Sequence, residues 1–525
     1  MKTLLKSSYS IIITLLISHG ITAQTITWLG TTDSEWHTPT NWMPTGIPTA
    51  TDEVLINSSP NDPMITAKAV ARTINIGSDA SLTVNDSLII KDAASNFEDP
   101  IYNHGINVNT DGLLTNTVNG VIHIDNTLGS GIVTNGIVEN QNQIKISNTQ
   151  EDGIVNSFLF TNLDSIEIGG VGAVIGIDGI FNFGDDSVFL NSPNGYLQVD
   201  NSQASGITNQ QDASLNNEGK ISIGTKVVNG TSAIMNVIGG TINNFSEINI
   251  LNSSEDGISN IDGTFNNYGS LSVGGDNAFI GFDAINNINS STFINHECAI
   301  ISLFDRLNNA STIPFINDGL IYFFTTETHI PGLFQNNGAI TDEQGTFPID
   351  NPGFTNNGII INPAGSLCGI VRQAFNVVST DKYEIEGVYT DDTFTAFAGT
   401  YDGATDVFTV DPNISPGTYE FQVIFQSFKF SNGNLFIEFF STPWIVEVSS
   451  DTITFTGNSD AFFDWHEPEN WDLGIIPEPC HHVIIPSPHD VQIFGSNEGL
   501  GKTLDVQLGA GIETQVAGLM DITNN

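Results

Sequence analysis

The sequence predicts an all-β protein: a right-handed parallel β-helix, a small antiparallel β-sandwich after it, and then the start of a second β-helix. Three observations predict this. A degenerate repeat of twenty-odd residues fills the middle of the chain, its strands short and alternating and its turns rich in Asn-Gly, Asp-Gly and Asn-Asn. The texture changes after Pro363-Ala364-Gly365 to longer, more aromatic strands. A Trp-rich segment near the start recurs near the end.

Residues 1–23 read as a secretory signal peptide. Lys2 and Lys6 form a basic start, Ile11 to Ile17 an apolar stretch too short to span a bilayer, and Ala23 the small residue before a cut. No Cys near Ala23 could carry a lipid anchor. Residues 24–65 hold the first Trp-rich motif, expected to cap the open apolar end of the coils, because Trp is costly to expose.

Residues 66–365 carry the repeat. A small residue followed by Ile recurs at Gly131-Ile132, Gly153-Ile154, Gly206-Ile207 and Gly257-Ile258, with variants at Val174-Ile175, Ala233-Ile234 and Phe279-Ile280. An Asn follows most starts (Asn140, Asn162, Asn182, Asn216, Asn243, Asn266), then an Ile-x-Ile strand such as Ile144-Lys145-Ile146. That combination suits coils about 4.8 Å apart, roughly a dozen of them in a rod near 60 Å long, with inward aliphatic residues and Asn stacked at the corners. A propeller blade needs about 40 residues, and a helical solenoid needs helix formers that are scarce here.

Residues 366–450 read as the β-sandwich, from strands such as Tyr419 to Phe430 and Leu435 to Phe440 with Asp-Gly and Asn-Gly turns. Residues 451–525 repeat the Trp motif and begin the second helix. Trp28, Trp36, Asn41, Trp42, Gly46, Pro48 and Asp52 correspond to Phe455, Trp465, Asn470, Trp471, Gly474, Pro477 and His481. The side-chain chemistry of Trp28 and Asp52 is therefore dispensable to whatever the motif does.

This pattern, W-x-G … W … NW … G-x-P … D-x-V-x-I leading into G-x-L-x-V coils, resembles repeat modules of large secreted adhesin-like or haemagglutinin-like proteins of Bacteroidota-type bacteria. Many of these are cargo of the type IX secretion route. The resemblance implies a surface location and this architecture, and no defined activity. No recognisable sorting domain follows, which points to a truncated product or a soluble secreted form.

Charge narrows the function. With 13 Lys+Arg against 59 Asp+Glu the net charge is −46. Such a chain does not bind nucleic acid, whose affinity comes largely from basic residues, and it avoids anionic membrane surfaces. Catalysis finds little support. Asn109-Thr110-Asp111, Asp185-Asp186 and His104-Gly105 contain fragments of a polygalacturonase-like set, but in the wrong order and without Arg-x-Lys. Lys145, Lys220, Lys226 and Arg306 are the only Lys or Arg between residues 92 and 371, too few to hold a polyuronate. His296-Glu297-Cys298 and Cys480-His481-His482 with His489 offer zinc-type ligands without zinc spacing. No cofactor is expected; calcium is the metal that acidic turns would best suit. Three cysteines, Cys298, Cys368 and Cys480, allow at most one internal disulfide.

The expected protein is a secreted or cell-surface, non-enzymatic, adhesin-like or structural β-helix. It is a monomeric rod meeting an extracellular glycan or protein surface, without membrane insertion. The alternative is a carbohydrate-active β-helix hydrolase or lyase with an Asp-based site.

Overall fold

A computed structural model of the chain describes residues 24–93, 103–227, 229–275, 278–324, 328–342, 347–348 and 351–361, together with shorter segments between 367 and 522. The signal sequence predicted over 1–23 and Cys480 lie outside the described residues.

The chain is all-β, and residues 25–361 form a parallel β-solenoid. Each coil contributes a strand to three sheets in turn, A, B and C, of 14, 13 and 14 strands, counting an antiparallel strand at one end of A (Trp42–Met43) and of C (Asn376–Val377). At about 4.8 Å per strand, the stack is about 60 Å long. Alternation explains the burial. In Gln143–Thr149 of sheet C, Ile144 and Ile146 point inward and Lys145 outward. Ile132, Val138 and Ile144 meet from the three sheets within one coil, all fully buried. Inward Phe rings of sheet B also stack along the axis, Phe265 on Phe293, Phe293 on Phe315 and Phe315 on Phe334, at 4.7, 4.6 and 4.9 Å.

Three expectations change. First, the sheets run through the boundary expected at residue 65. Thr25–Trp28 pairs in parallel with Glu53–Ile56, which pairs with Thr73–Ile76, so the Trp motif supplies the first strands of sheet A.

Second, the coil register differs at two starts. Ile154 pairs with Ile180 and Ile258 with Ile285, so the starts are Gly179 and Ala284, where Val174-Ile175 and Phe279-Ile280 had been expected. Ile175 and Ile280 are buried too, but in a short extra ladder at the corner between sheets C and A. There Thr149 pairs with Ile175, Ile175 with Ser202, Asn229 with Ser253, and Ser253 with Ile280. The small residue before each Ile is explained by contact: a Cβ on Gly153 would lie 2.5 Å from the Gly179 carbonyl oxygen of the next coil. Ala233 and Ala284 occupy the same place, so a single methyl can be housed after a small shift.

Third, the Asn ladders lie in the core as well as on the surface. In sheet B, Asn116, Asn140, Asn162, Asn191, Asn217, Asn244, Asn267, Asn295 and Asn317 are fully buried. Each Nδ2 donates to the Oδ1 one coil on at 2.7–2.8 Å, and the ladder continues through Asn336 to Asn356. Sheet A holds a second buried ladder, from Asn156 through Asn182, Asn209, Asn236, Asn260 and Asn287 to Asn309. Asn216, Asn243 and Asn266 form an outer ladder one residue away from the inner one. A buried amide is costly unless its donors and acceptor are used, and stacking identical amides uses them along the column with one residue type.

Past the solenoid, Gly417–Ser431 and Asn434–Ser449 form a long antiparallel hairpin within a four-stranded sheet, beside a separate three-stranded one. Among the described residues no helix is long and apolar enough to cross a membrane.

Candidate functional site

The Trp motif is built around three rings. Trp28, Trp36 and Trp42 are 2%, 0% and 1% exposed, and Trp42 meets each of the others edge-on at 4.8 and 4.7 Å. Trp42 Nε1 donates to the Trp36 carbonyl at 2.7 Å. Asn41 is also buried. Its Oδ1 accepts the Thr32 N–H at 2.9 Å and its Nδ2 donates to Asp33 Oδ1 at 2.7 Å, tying the loop before the Pro39–Asn41 turn to the turn itself. Pro48 is buried, and Asp52 Oδ2 accepts the Thr49 N–H at 2.8 Å to close the following turn. Gly46 donates its N–H to the Pro39 carbonyl.

The second copy repeats this geometry. Trp465 and Trp471 are 1% and 3% exposed and edge-on at 5.0 Å, Trp471 Nε1 donates to the Trp465 carbonyl at 2.8 Å, and Phe455 packs edge-on against Trp471. Asn470 and Pro477 are buried like Asn41 and Pro48, Gly474 turns with φ 68°, and His481 is buried where Asp52 stands. A sugar stacks on an open ring face, and none of these five Trp rings offers one.

The catalytic fragments are scattered. Asp111, Asp185 and Asp186 lie exposed at the corner between sheets A and B, while His104 lies at the opposite edge of sheet A. A different set of carboxylates does line up at that opposite edge, the corner between sheets C and A. Asp152, Asp178, Asp256 and Asp283 each sit just before a coil start, with His104 at the equivalent place earlier in the stack. Sequence reasoning passed over this column because Asp-Gly reads as a turn.

Burial pushes the Asp152 carboxyl up to about 6, with Asp178 and Glu151 adding repulsion. Asp178 and Asp256 are raised by burial as well. Their oxygens are committed to structure. Asp152 Oδ1 accepts the Asp178 N–H at 2.9 Å, Asp178 Oδ1 accepts the Ser205 N–H at 2.8 Å, and Asp283 pairs with Arg306. The His104 ring Nδ1 likewise accepts the Ser130 N–H at 2.9 Å, and burial lowers its pKa. The column staples each coil corner to the next.

Exposed aromatics outside the core include Phe245, Tyr268 and His296, stacked in series at 4.9 and 3.9 Å. Among the described residues no group of three or more His, Cys, Asp or Glu side chains is placed to share a metal ion.

Residues 27–135 match a family described as a domain of unknown function, DUF8693. The matched stretch spans the Trp motif and the first coils together, in keeping with the continuous sheet A. No curated protein and no solved structure matches the chain.

Proposed function

We propose that the chain is a secreted or cell-surface, non-enzymatic β-solenoid of adhesin-like or structural type. It is a module of the large surface proteins of Bacteroidota-type bacteria whose motifs it resembles, exported through residues 1–23 and acting as a monomeric rod toward an extracellular glycan or protein surface. In this reading residues 366–450 pack as a small β-sandwich, residues 451–525 begin a second solenoid, and each Trp cluster caps the coils behind it.

The observation that carries the reading is where the polar side chains go. Among the described residues the Asn ladders and corner carboxylates are engaged coil against coil, which supports a long regular surface over a convergent set of acid, base and nucleophile.

A second reading, a polysaccharide hydrolase or lyase, draws on Asp152, whose raised pKa would suit a general acid. The test is a screen of the purified chain for binding and depolymerisation of polysaccharides, with and without calcium. Binding without cleavage is expected. Release of reducing ends or unsaturated products at an enzyme-like rate, abolished by Asp152→Asn or Asp178→Asn, would overturn the reading.

A further inference from the structure

The corner ladder between sheets C and A stops partway along the rod. At one end it runs on into sheet C through Thr149, Thr127 and Ala93. At the other it ends on Ile280. Among the described residues no strand or bridge follows there, although sheets A, B and C continue as far as Thr328–His329, Phe354–Asn356 and Ile359–Ile361. The cause is the length of the connection. Residues 274–284 join sheet C to sheet A in the coil that carries Ile280, whereas only Phe304, Asp305 and Arg306 join them in the next, too few to build another rung.

The register fixes what this edge presents. The Phe279 N–H goes back to the Leu251 carbonyl and the Gly281 N–H to the Ser253 carbonyl, so the N–H and C=O of Ile280 face forward, toward the place of the missing rung. Ile175 shows what such a residue binds. Its N–H donates to the Asn201 carbonyl at 3.1 Å and its carbonyl accepts the Gln203 N–H at 2.9 Å, both from the next coil.

The step left by the short connection is aromatic. Phe279 and Phe282 on the rung itself are 55% and 59% exposed, and Phe304 on the connection that follows is 36% exposed. A Cβ on Gly274 would come within 2.8 Å of the Phe304 Cβ, and the Phe304 ring stacks on Phe324 at 4.4 Å. The adjoining charges are engaged with one another: Asp283 pairs with Arg306, and Asp305 Oδ1 accepts the Arg306 N–H at 2.7 Å.

We propose that this edge is an interaction surface and that its partner is an extended polypeptide strand, which adds the missing rung and lays apolar side chains beside the Phe rings. The inference rests on the non-enzymatic binding reading above and names the partner's class. Two observations make the choice. An N–H and a C=O that face the same way from one residue match the backbone spacing of an extended polypeptide, so the partner is read first by its main chain. The chain also contains the completed form of this rung. Val174-Ile175-Gly176-Ile177 follows the pattern of Phe279-Ile280-Gly281-Phe282, apolar-Ile-Gly-apolar, and it lies inside the ladder, paired with Thr149 on one side and Ser202 on the other. Within a second copy that matching segment is already taken on both sides, so the occupant is a separate strand.

The test titrates the full chain into a labelled peptide copying residues 172–179, followed by fluorescence anisotropy. A second peptide carries Gly176→Pro and so lacks the N–H that the Ile280 carbonyl would accept. The protein variants are Phe279→Ser/Phe282→Ser and, as control, Val171→Ser, which removes an exposed apolar residue from the same corner several coils away. Wild type and Val171→Ser are expected to bind the first peptide, and to bind the proline peptide at least about tenfold more weakly. The double variant, with its circular dichroism and thermal transition retained, is expected to lose at least about tenfold in affinity for the first peptide.

No binding by wild type at up to about 1 mM peptide, equal binding of the two peptides, or unchanged binding by the folded double variant would overturn the proposal. So would a concentration-dependent dimer, seen by sedimentation and lost in the double variant, since the occupant would then be a second copy. In those cases the non-enzymatic reading still stands, whereas release of reducing ends from a polysaccharide would overturn that reading and leave the peptide result untouched.

Discussion

Removing one rung of the inner Asn ladder tests whether the ladder holds the coils together. Asn217 is fully buried and makes three bonds: its Oδ1 accepts from Asn191 Nδ2 at 2.8 Å, and its Nδ2 donates to Asn244 Oδ1 at 2.7 Å and to the Glu247 carbonyl at 3.0 Å. Asn217→Ala deletes all three. Asn191 Nδ2 keeps the Gly195 and Lys220 carbonyls, each at 3.2 Å, so that donor is not stranded. Asn244 Oδ1, however, loses its ladder donor inside the core. At about 1 kcal/mol net for each of the three bonds and about 1–3 kcal/mol for the stranded acceptor, the variant is expected to lose roughly 4–6 kcal/mol.

Asn116→Ala is the internal comparison. Asn116 starts the ladder, and its own Oδ1 has no donor, so removing it also removes a standing penalty. Its expected cost is therefore smaller by about 1–2 kcal/mol. Urea unfolding gives the midpoints and slopes, and amide exchange in the flanking strands reports whether a near one-dimensional stack opens locally. An Asn217→Ala variant within about 0.5 kcal/mol of wild type, or an Asn116→Ala variant as costly as Asn217→Ala, would refute the reasoning.

Three further outcomes are expected. Asp152 titrates at about 6 in the folded chain against an ordinary 3.8, so the folded state favours its protonated form. That contribution is complete below 3.8 and is lost as pH rises through about 6. Asp152→Asn, which keeps an oxygen for the Asp178 N–H, should match wild type near pH 4 and exceed it by roughly 1–3 kcal/mol above pH 7, as read from pH-dependent unfolding. Ile238 holds φ 52° at 61% exposure, a conformation costly for a β-branched residue, so Ile238→Asn should stabilise by about 1 kcal/mol in the same assay. Val84→Asn would give Asn116 Oδ1 its missing donor but strand its own oxygen against Ile65 and lose the buried valine, so a net loss of about 1–3 kcal/mol is expected and a gain would contradict the ladder argument.

The solenoid was legible because its contacts are local in pattern. Ile144-Lys145-Ile146 displays its alternation within three residues, and Gly153-Ile154 displays the close approach of coils within two. The Trp motif was legible because it occurs twice, so that Trp36 and Trp42 could be checked against Trp465 and Trp471. What misled was degeneracy. Ile175 and Ile280 fall near the repeat spacing and are buried, Ile280 with 8% exposed, but they belong to a corner ladder that exists only when coils lie side by side. Asn216-Asn217 and Asn243-Asn244 misled differently: alternation from Leu215 and Ile242 turns Asn217 and Asn244 inward, but an amide is expected on the surface unless a stacked partner satisfies it. The corner carboxylates were illegible for a different reason. Asp152 and Asp178 are more than twenty residues apart, and only the register that stacks their coils places the Asp178 N–H on Asp152 Oδ1.

That register also connects the ladders to the Trp motif. Followed toward the start of the chain, both inner columns change chemistry before reaching the aromatic rings. In sheet B, Asn140 and Asn116 give way to Val84 and Ile65; in sheet A, Asn156 gives way to Thr134, Val108, Ile76 and Ile56, ending on Trp28. A column of amides ends on an acceptor that no further amide supplies: Asn116 Oδ1 has no donor, and Asn156 Oδ1 takes only the Phe158 N–H at 3.4 Å. Ended against indole faces, such an acceptor would be sealed from water as well as unpaired. Switching to Ile and Val several coils earlier keeps the polar terminus away from the aromatic cluster and leaves an apolar surface for Trp28 and Trp42 to cover. The second copy begins the same way, with Ile485 paired to Val506 at the positions of Ile56 and Ile76. The buried Trp cluster and the buried Asn ladders are thus successive stretches of the same inner columns, and the aliphatic residues between them keep the polar terminus away from the rings.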